Sequence, residues 1–223
     1  MSRLEHPARF VVVEGIDGAG TTTQIRLYAA YLETKGYDVH VTREPSTGPV
    51  GVFIRSLLTG ATKLPSGPSA DLMALLFAAD RLDHVRGEIE LALARGAVVL
   101  SDRYDLSSLA YQSVAARLER GGSPDARDDA RLDWLRSLNQ HARRPDLTLV
   151  VDVDPAVAEA RRRARGGAEE LYETTRLQAE LARAYASAES LVVGDRVVHV
   201  DGNAELEQVA ERVREALAPW VEG

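Results

Sequence analysis

The sequence predicts an α/β fold, with a doubly wound, five-stranded parallel sheet and helices on both faces. Three observations predict it. Five short β-rich apolar runs alternate with helix-like stretches along the 223 residues, and such alternation gives a parallel sheet covered on both sides. The first run ends in glycines that open directly into a helical pattern. No internal repeat, low-complexity tract or long linker interrupts the chain, so residues 1–223 are expected to form one domain.

The elements follow in order. "RFVVVEG" (9–15) is a short apolar strand closed by glycine. "TTTQIRLYAAYLETKG" (21–36) carries Ile25, Leu27, Tyr28, Tyr31 and Leu32 at helical spacing and stops at Gly36. "YDVHVTREP" (37–45) alternates like a strand and ends at proline. "PVGVFIRSLLTG" (49–60) reads as a helix closed by Gly60. The stretch 69–96 is long, helical and mostly apolar, with a break expected near Gly87. "AVVLSDRY" (97–104), "DLTLVVDVDP" (146–155) and "RVVHVDG" (196–202) are the remaining strands, and "NAELEQVAERVREALAPWV" is the last helix. "RGGSPDARDD" (120–129) and "RARGGAEE" (163–170) read as polar, glycine-bearing loops.

Composition narrows the function classes. The chain is 45% hydrophobic and 27% charged, an ordinary globular balance. No run of about 18 apolar residues is present, so no membrane partner is expected. The apolar run after the N-terminus reads as a strand rather than a signal peptide. Cysteine is absent, which removes disulfides and thiolate metal sites and points to a cytoplasmic setting. The net charge of -7 argues against nucleic-acid binding, and the arginine block at 161–165 lacks interleaved aromatics. The five histidines show no metal-ligand spacing.

The informative stretch is "EGIDGAGTTTQ", Glu14 to Gln24. It nearly matches the phosphate-loop pattern G-x-x-x-x-G-K-[ST], with Gly15, Gly20 and Thr22 in place and Thr21 where lysine is expected. It follows a strand and opens a helix, the setting that pattern requires. Its backbone N–H groups and the helix N-terminus can cradle an anion without the lysine. A glycine-rich turn without a ligand is the plainer reading.

Beyond this loop, the chain resembles the thymidylate kinases, which pass the γ-phosphoryl group of ATP to dTMP. "FVVVEGIDGAG", "VTREP", "LLFAADR", "SDRYDLSSLAYQ" and "RPDLTLVVDVDP" match family segments in the family's order. The resemblance implies a P-loop kinase fold, ATP with Mg²⁺, dTMP as acceptor and a homodimer packed through helices beside the sheet. It places the ATP phosphates on Gly15, Ile16, Asp17, Gly18, Ala19, Gly20, Thr21, Thr22 and Thr23. It gives Thr22 and Asp102 to the metal, and Asp17 and Arg103 to catalysis, with Asp17 also on the acceptor sugar. Arg55 and Arg103 would hold the dTMP phosphate, with Arg43 supporting that region and Pro45 fixing the turn. Phe77 would stack on thymine, and Arg81, four residues on and on the same helix face, would donate to thymine O4. Cytosine presents an amino donor there and would be rejected. Ser108 and Gln112 would reach the base edge, and Tyr111 would crowd the 2′ position of the sugar. Asp17 as a turn residue and Phe77 as core packing are the alternatives.

The resemblance also places a mobile lid at residues 160–173, where "ARRRARGG" (160–167) holds Arg161, Arg162, Arg163 and Arg165. Four arginines in five residues repel one another unless anions are near, so the block is expected to supply the cation that Thr21 does not, with Arg163 and Arg165 as its catalytic members. A solvated helix end is the alternative. "ELYE" (170–173) departs from the family pattern by carrying Leu171 where arginine is usual. A kinase of another nucleoside monophosphate and a non-catalytic nucleotide-binding relative remain the competing functions.

Overall fold

The computed structural model describes residues 8–123, 128–166 and 174–222. Five strands form one parallel sheet: β1 (Arg9–Glu14), β2 (Val39–Arg43), β3 (Val98–Asp102), β4 (Leu147–Asp152) and β5 (Val197–Asp201), in the order β2-β3-β1-β4-β5. β1 lies at the centre, with β3 on one flank and β4 on the other. Its register sets Val13 beside Asp102 and Glu14 beside Val150. The ends of these strands therefore share one edge, where open α/β sheets hold ligands.

Both faces of the sheet are covered, which explains the continuous apolar strands. Val11 and Val13 pack with Val98, Leu100, Leu147 and Leu149 in the main core. Phe10 and Val12 face the other way, against Val85, Ile89 and Tyr104. The main core takes in α1 (Thr21–Thr34), α5 (Asp105–Glu119) and α10 (Leu206–Val221). The second face is closed by a long helical stretch. It begins as α3 (Ala70–His84), passes through a π-helical turn (Val85–Ile89) and continues as α4 (Glu90–Ala94). The expected break near Gly87 is thus a widened turn, not an interruption. Val85 and Ile89, at its two ends, are both buried.

The helix expected at 49–60 is α2 (Pro49–Leu58). α6 (Asp129–Leu138), α7 (Pro155–Arg165), α8 (Thr175–Tyr185) and the short α9 (Ala188–Leu191) complete the described elements. The polar loop expected from 163 begins later, because α7 keeps its helical bonds to Arg165. Residues 124–127 of the other polar loop lie outside the described residues, as do residues 167–173 of the expected lid, Leu171 among them. Among the described residues no helix is long and apolar enough to cross a membrane.

Candidate active site

β1 delivers the chain to the sheet edge at Glu14, and the glycine-rich loop turns from there into α1. Gly18 and Gly20 both hold φ +91°, a left-handed backbone that glycine adopts without strain. A side chain at Gly18 would overlap the Ala158 carbonyl oxygen, so α7 packs directly on the loop. No side chain caps α1, leaving its N-terminus to an incoming anion. Thr21 is buried, with its methyl group against the position a Gly15 Cβ would take. Thr22 is exposed and its hydroxyl donates to the Asp102 carboxylate. The other Asp102 oxygen, Oδ1, is buried without a hydrogen-bond partner.

Behind the loop, Asp17 and Arg103 form the hub of the site. Arg103 sits just past β3 with φ +74°, the one positive-φ non-glycine residue among those described. Its guanidinium donates to Asp17 Oδ1 at 2.5 Å, to the Gly15 carbonyl at 3.0 Å, and to Ser107 Oγ and Tyr185 Oη at 3.1 Å each. Asp17 Oδ2 accepts from Tyr111 Oη at 3.0 Å and from Gln178 Nε2 at 2.9 Å. Burial opposes the Arg103 charge, but the surrounding Tyr111, Asp17, Tyr185 and Glu14 hold its pKa well above the ordinary value. Burial pushes the Tyr111 hydroxyl up, with Arg103 opposing and Asp17 adding to the rise, so it remains a neutral donor to Asp17.

Glu14 supports this hub from below. Its Oε1 accepts from the Tyr104 and Ser107 amides at 2.8 and 3.1 Å, and its Oε2 accepts from Ser107 Oγ at 2.6 Å and Tyr185 Oη at 3.1 Å. Burial pushes this carboxyl up to about 7, against the Arg103 charge and the Ser107 and Tyr104 hydrogen bonds.

Two cavities meet at Asp17 and Arg103. One, about 310 Å³, is lined by the loop from Ile16 to Thr23 except the buried Ala19, by Asp102 and Arg103, and by Arg161 of α7. The other, about 210 Å³, lies between α2, α3 and α5. It collects Asp17, Arg55, Phe77, Arg81, Arg103, Ser108, Tyr111 and Gln112, every acceptor residue expected from the sequence except Arg43. Arg43, at the end of β2, is exposed and lines neither cavity. Phe77 does two things, because it lines the cavity and also packs on Ile54, Leu57 and Met73. The Glu44–Pro45 peptide is cis, and Arg55 donates to the Pro45 carbonyl at 2.7 Å.

Comparisons with known proteins supply the family. The family model described as thymidylate kinase matches residues 13–213. The chain belongs to the thymidylate kinase family. It is 40% identical over 211 residues to a probable thymidylate kinase of Pyrobaculum aerophilum, covering 93% of this chain and 95% of that one. A thymidylate kinase of Rhodopseudomonas palustris is 41% identical over 220 residues, 94% of this chain and 88% of the relative. One from an Exiguobacterium species is 36% identical over 209 residues, 92% and 91% of the two chains.

Within this family frame the arginine block divides. Arg162 donates to the Asp17 carbonyl, and Arg161 donates to the Gly202 and Ala204 carbonyls at 3.0 and 3.2 Å while lining the loop cavity. Arg163 faces away, 79% exposed and paired with Glu159 one turn back. The Arg165 side chain lies outside the described residues. Sequence reasoning singled out neither Glu14 nor Glu44, although both stand at strand ends inside recognisable segments. It had no signal for Gln178 and Asn139, which come from helices far along the chain.

The donor set fits Mg²⁺. Thr22 and Asp102 offer hard oxygen ligands, one of them an orphaned buried oxygen. The described residues show no cluster of three or more metal-binding side chains. Mg²⁺ needs none, since it takes one or two protein groups and fills its shell with water and substrate phosphates.

Proposed function

We propose that this chain transfers the γ-phosphoryl group of ATP to the phosphate of dTMP, giving ADP and dTDP, in the cytoplasm. The observation that carries this reading is the meeting of a glycine-loop cavity and an aromatic-walled cavity at one Asp17–Arg103 pair. Backbone N–H groups of the loop hold the ATP phosphates, except those of Asp17, Ala19 and Thr23, which donate to Gln178 Oε1 and to the Ile16 and Gly20 carbonyls, and Thr22 and Asp102 would hold Mg²⁺. When bound, that ion neutralises charge on the β- and γ-phosphates. Arg55 and Arg103 clamp the acceptor phosphate, whose oxygen forms the new bond to the γ-phosphorus as the bond to the β,γ-bridging oxygen breaks. Asp17 orients Arg103 and takes the acceptor sugar's hydroxyl. Phe77 stacks on the base, Arg81 with Ser108 and Gln112 reads its edge, and Tyr111 walls the 2′ position. Positioning and electrostatics supply most of the rate enhancement in such transfers.

The cation missing at Thr21 is supplied by Arg161, which reaches the loop cavity from α7, together with Arg103. Arg163, turned to solvent, does not take this part. The protein pairs as a homodimer through α2 and α3, which present Val52, Phe53 and Leu75 at 57%, 40% and 50% exposure. Light scattering at micromolar concentration checks this, and a monomer rejects it.

The test of the function is ADP release with ATP, Mg²⁺ and dTMP, run beside dUMP, dCMP and dGMP as acceptors. Release dependent on dTMP and Mg²⁺ is expected. A preference for another acceptor would reassign the base site. Binding of both nucleotides without any transfer would support a non-catalytic relative, the reading that Thr21 itself favours.

A further inference from the structure

Arg81 is 1% exposed, yet it lines the acceptor cavity. Its fork is held from two sides. Nη1 donates to Asn139 Oδ1 at 2.5 Å, and Nη2 donates to Glu44 Oε2 at 2.5 Å and to Ser108 Oγ at 3.1 Å. Its plane lies 5.0 Å over the Tyr104 ring. Burial opposes its charge, and Glu44, Asp105 and Tyr104 together more than offset that, so its pKa lies above the ordinary arginine value. The holders are themselves held. Asn139 ends α6 and donates through Nδ2 to the Leu135 carbonyl at 2.8 Å. Glu44 Oε1 lies 3.3 Å from Nδ1 of the fully buried His84, whose Nε2 lies 2.7 Å from Thr42 Oγ1. His84 Nε2 also lies 3.6 Å from Glu88 Oε2, so the ring is held between two carboxylates.

We infer that Glu44 and Asn139 are positioning residues for base selection: they lock the Arg81 guanidinium so that it cannot retreat from a wrong base. This rests on the reading of Arg81 as the base-edge donor. A free arginine could swing away from the amino group of cytosine, so cytosine would be tolerated. A guanidinium fixed on both terminal nitrogens keeps its donors where they are. A second donor brought against it is left unpaired, a penalty that discriminates between bases far more strongly than a missing contact. The buried Glu44 charge also balances that of Arg81, so the pocket presents a hydrogen-bonding edge and not a bare cation to a neutral base.

The experiment compares kcat and KM for dTMP and dCMP, KM for ATP and the melting temperature in Asn139→Ala, Asn139→Asp, Glu44→Gln and Arg81→Ala. Asn139→Ala should lower the dTMP-to-dCMP ratio of kcat/KM about tenfold, the effect of one hydrogen bond to a charged group. Most of that loss should appear in KM, with KM for ATP unchanged. Asn139→Asp, which returns an oxygen to Nη1, should restore the ratio. Glu44→Gln should shift it in the same direction as Asn139→Ala. If Glu44→Gln does not fold, the Asn139 pair decides. A lowered melting temperature with an unchanged ratio in the positioning variants, while Arg81→Ala loses discrimination, overturns the inference alone. An unchanged ratio in Arg81→Ala overturns the base-edge reading with it.

Discussion

Glu14 is an acid buried at the centre of the sheet edge, and replacing it with glutamine should change how stability depends on pH. Its carboxyl titrates near 7 when folded against 4.5 as a free side chain, because burial penalises the charged form more than Arg103, Ser107 and Tyr104 favour it. The folded protein therefore holds this proton more tightly than the unfolded chain does. The resulting stabilisation is complete below pH 4.5 and is lost as pH rises to about 7. At about 1.4 kcal/mol for each tenfold change in proton affinity, it amounts to about 3 kcal/mol. Glu14→Gln keeps an oxygen for the Tyr104 and Ser107 amides and an NH₂ group that can donate to Ser107 and Tyr185, and it cannot ionise. Denaturant unfolding of both proteins at pH 5, 6, 7 and 8 measures the effect. The stability of the variant relative to wild type should rise by about 2.5 kcal/mol from pH 5 to pH 8, since about 1 kcal/mol of the effect already lies below pH 5. A constant difference across that range would show that Glu14 does not change protonation there, and the account of its burial would fail.

Three further outcomes are expected. Gly18→Ala places a methyl group on the Ala158 carbonyl at a left-handed φ, so it should destabilise the fold by about 2 kcal/mol and raise KM for ATP; unchanged ATP kinetics would mean that α7 yields. Phe77→Ala should raise KM for dTMP by at least about tenfold with KM for ATP unaltered, whereas a lower melting temperature with normal dTMP kinetics would assign Phe77 to the α2–α3 core alone. Arg161→Ala should lower kcat by about a hundredfold, as loss of a preorganised donor does, while Arg163→Ala should leave steady-state kinetics unchanged; the reverse order would mean that α7 turns when nucleotides bind.

What the sequence made legible follows from burial. Phe10 to Val13, Val98 to Leu100 and Leu147 to Val151 are covered on both faces, with every intervening apolar residue at 2% exposure or less, so they read as unbroken apolar runs. α5 carries no such clean signal, because its buried face includes Asp105, Ser108 and Gln112. Those polar residues blur a 3.6-residue apolar period, and several of them form the site. The phosphate loop could be read because its glycines must be contiguous in the chain. The Asp17–Gln178 and Arg81–Asn139 contacts join residues 161 and 58 positions apart, and only the fold brings them together.

The arginine block shows the same limit at closer range. Its composition announces a cationic element, but which arginine meets the phosphates is a question of helical phase. α7 is anchored by Asp154 at its N-cap and by Ala158 against Gly18, and that anchoring fixes the rotation of every residue after it. At about 100° per residue, Arg161 and Arg162 reach the loop side, and Arg163 turns outward to Glu159. A cation supplied from α7 differs from a lysine in the loop in one physical respect. The lysine would follow the phosphates on its own flexible stem, whereas Arg161 is tied to the Gly202 and Ala204 carbonyls beyond β5. In the proposed function the loop backbone would cradle ATP, and α7 would add the cation through Arg161. The positive charge brought to the transferring phosphoryl group would then depend on how closely α7 stays packed on Gly18, which would make that contact the link between nucleotide binding and turnover.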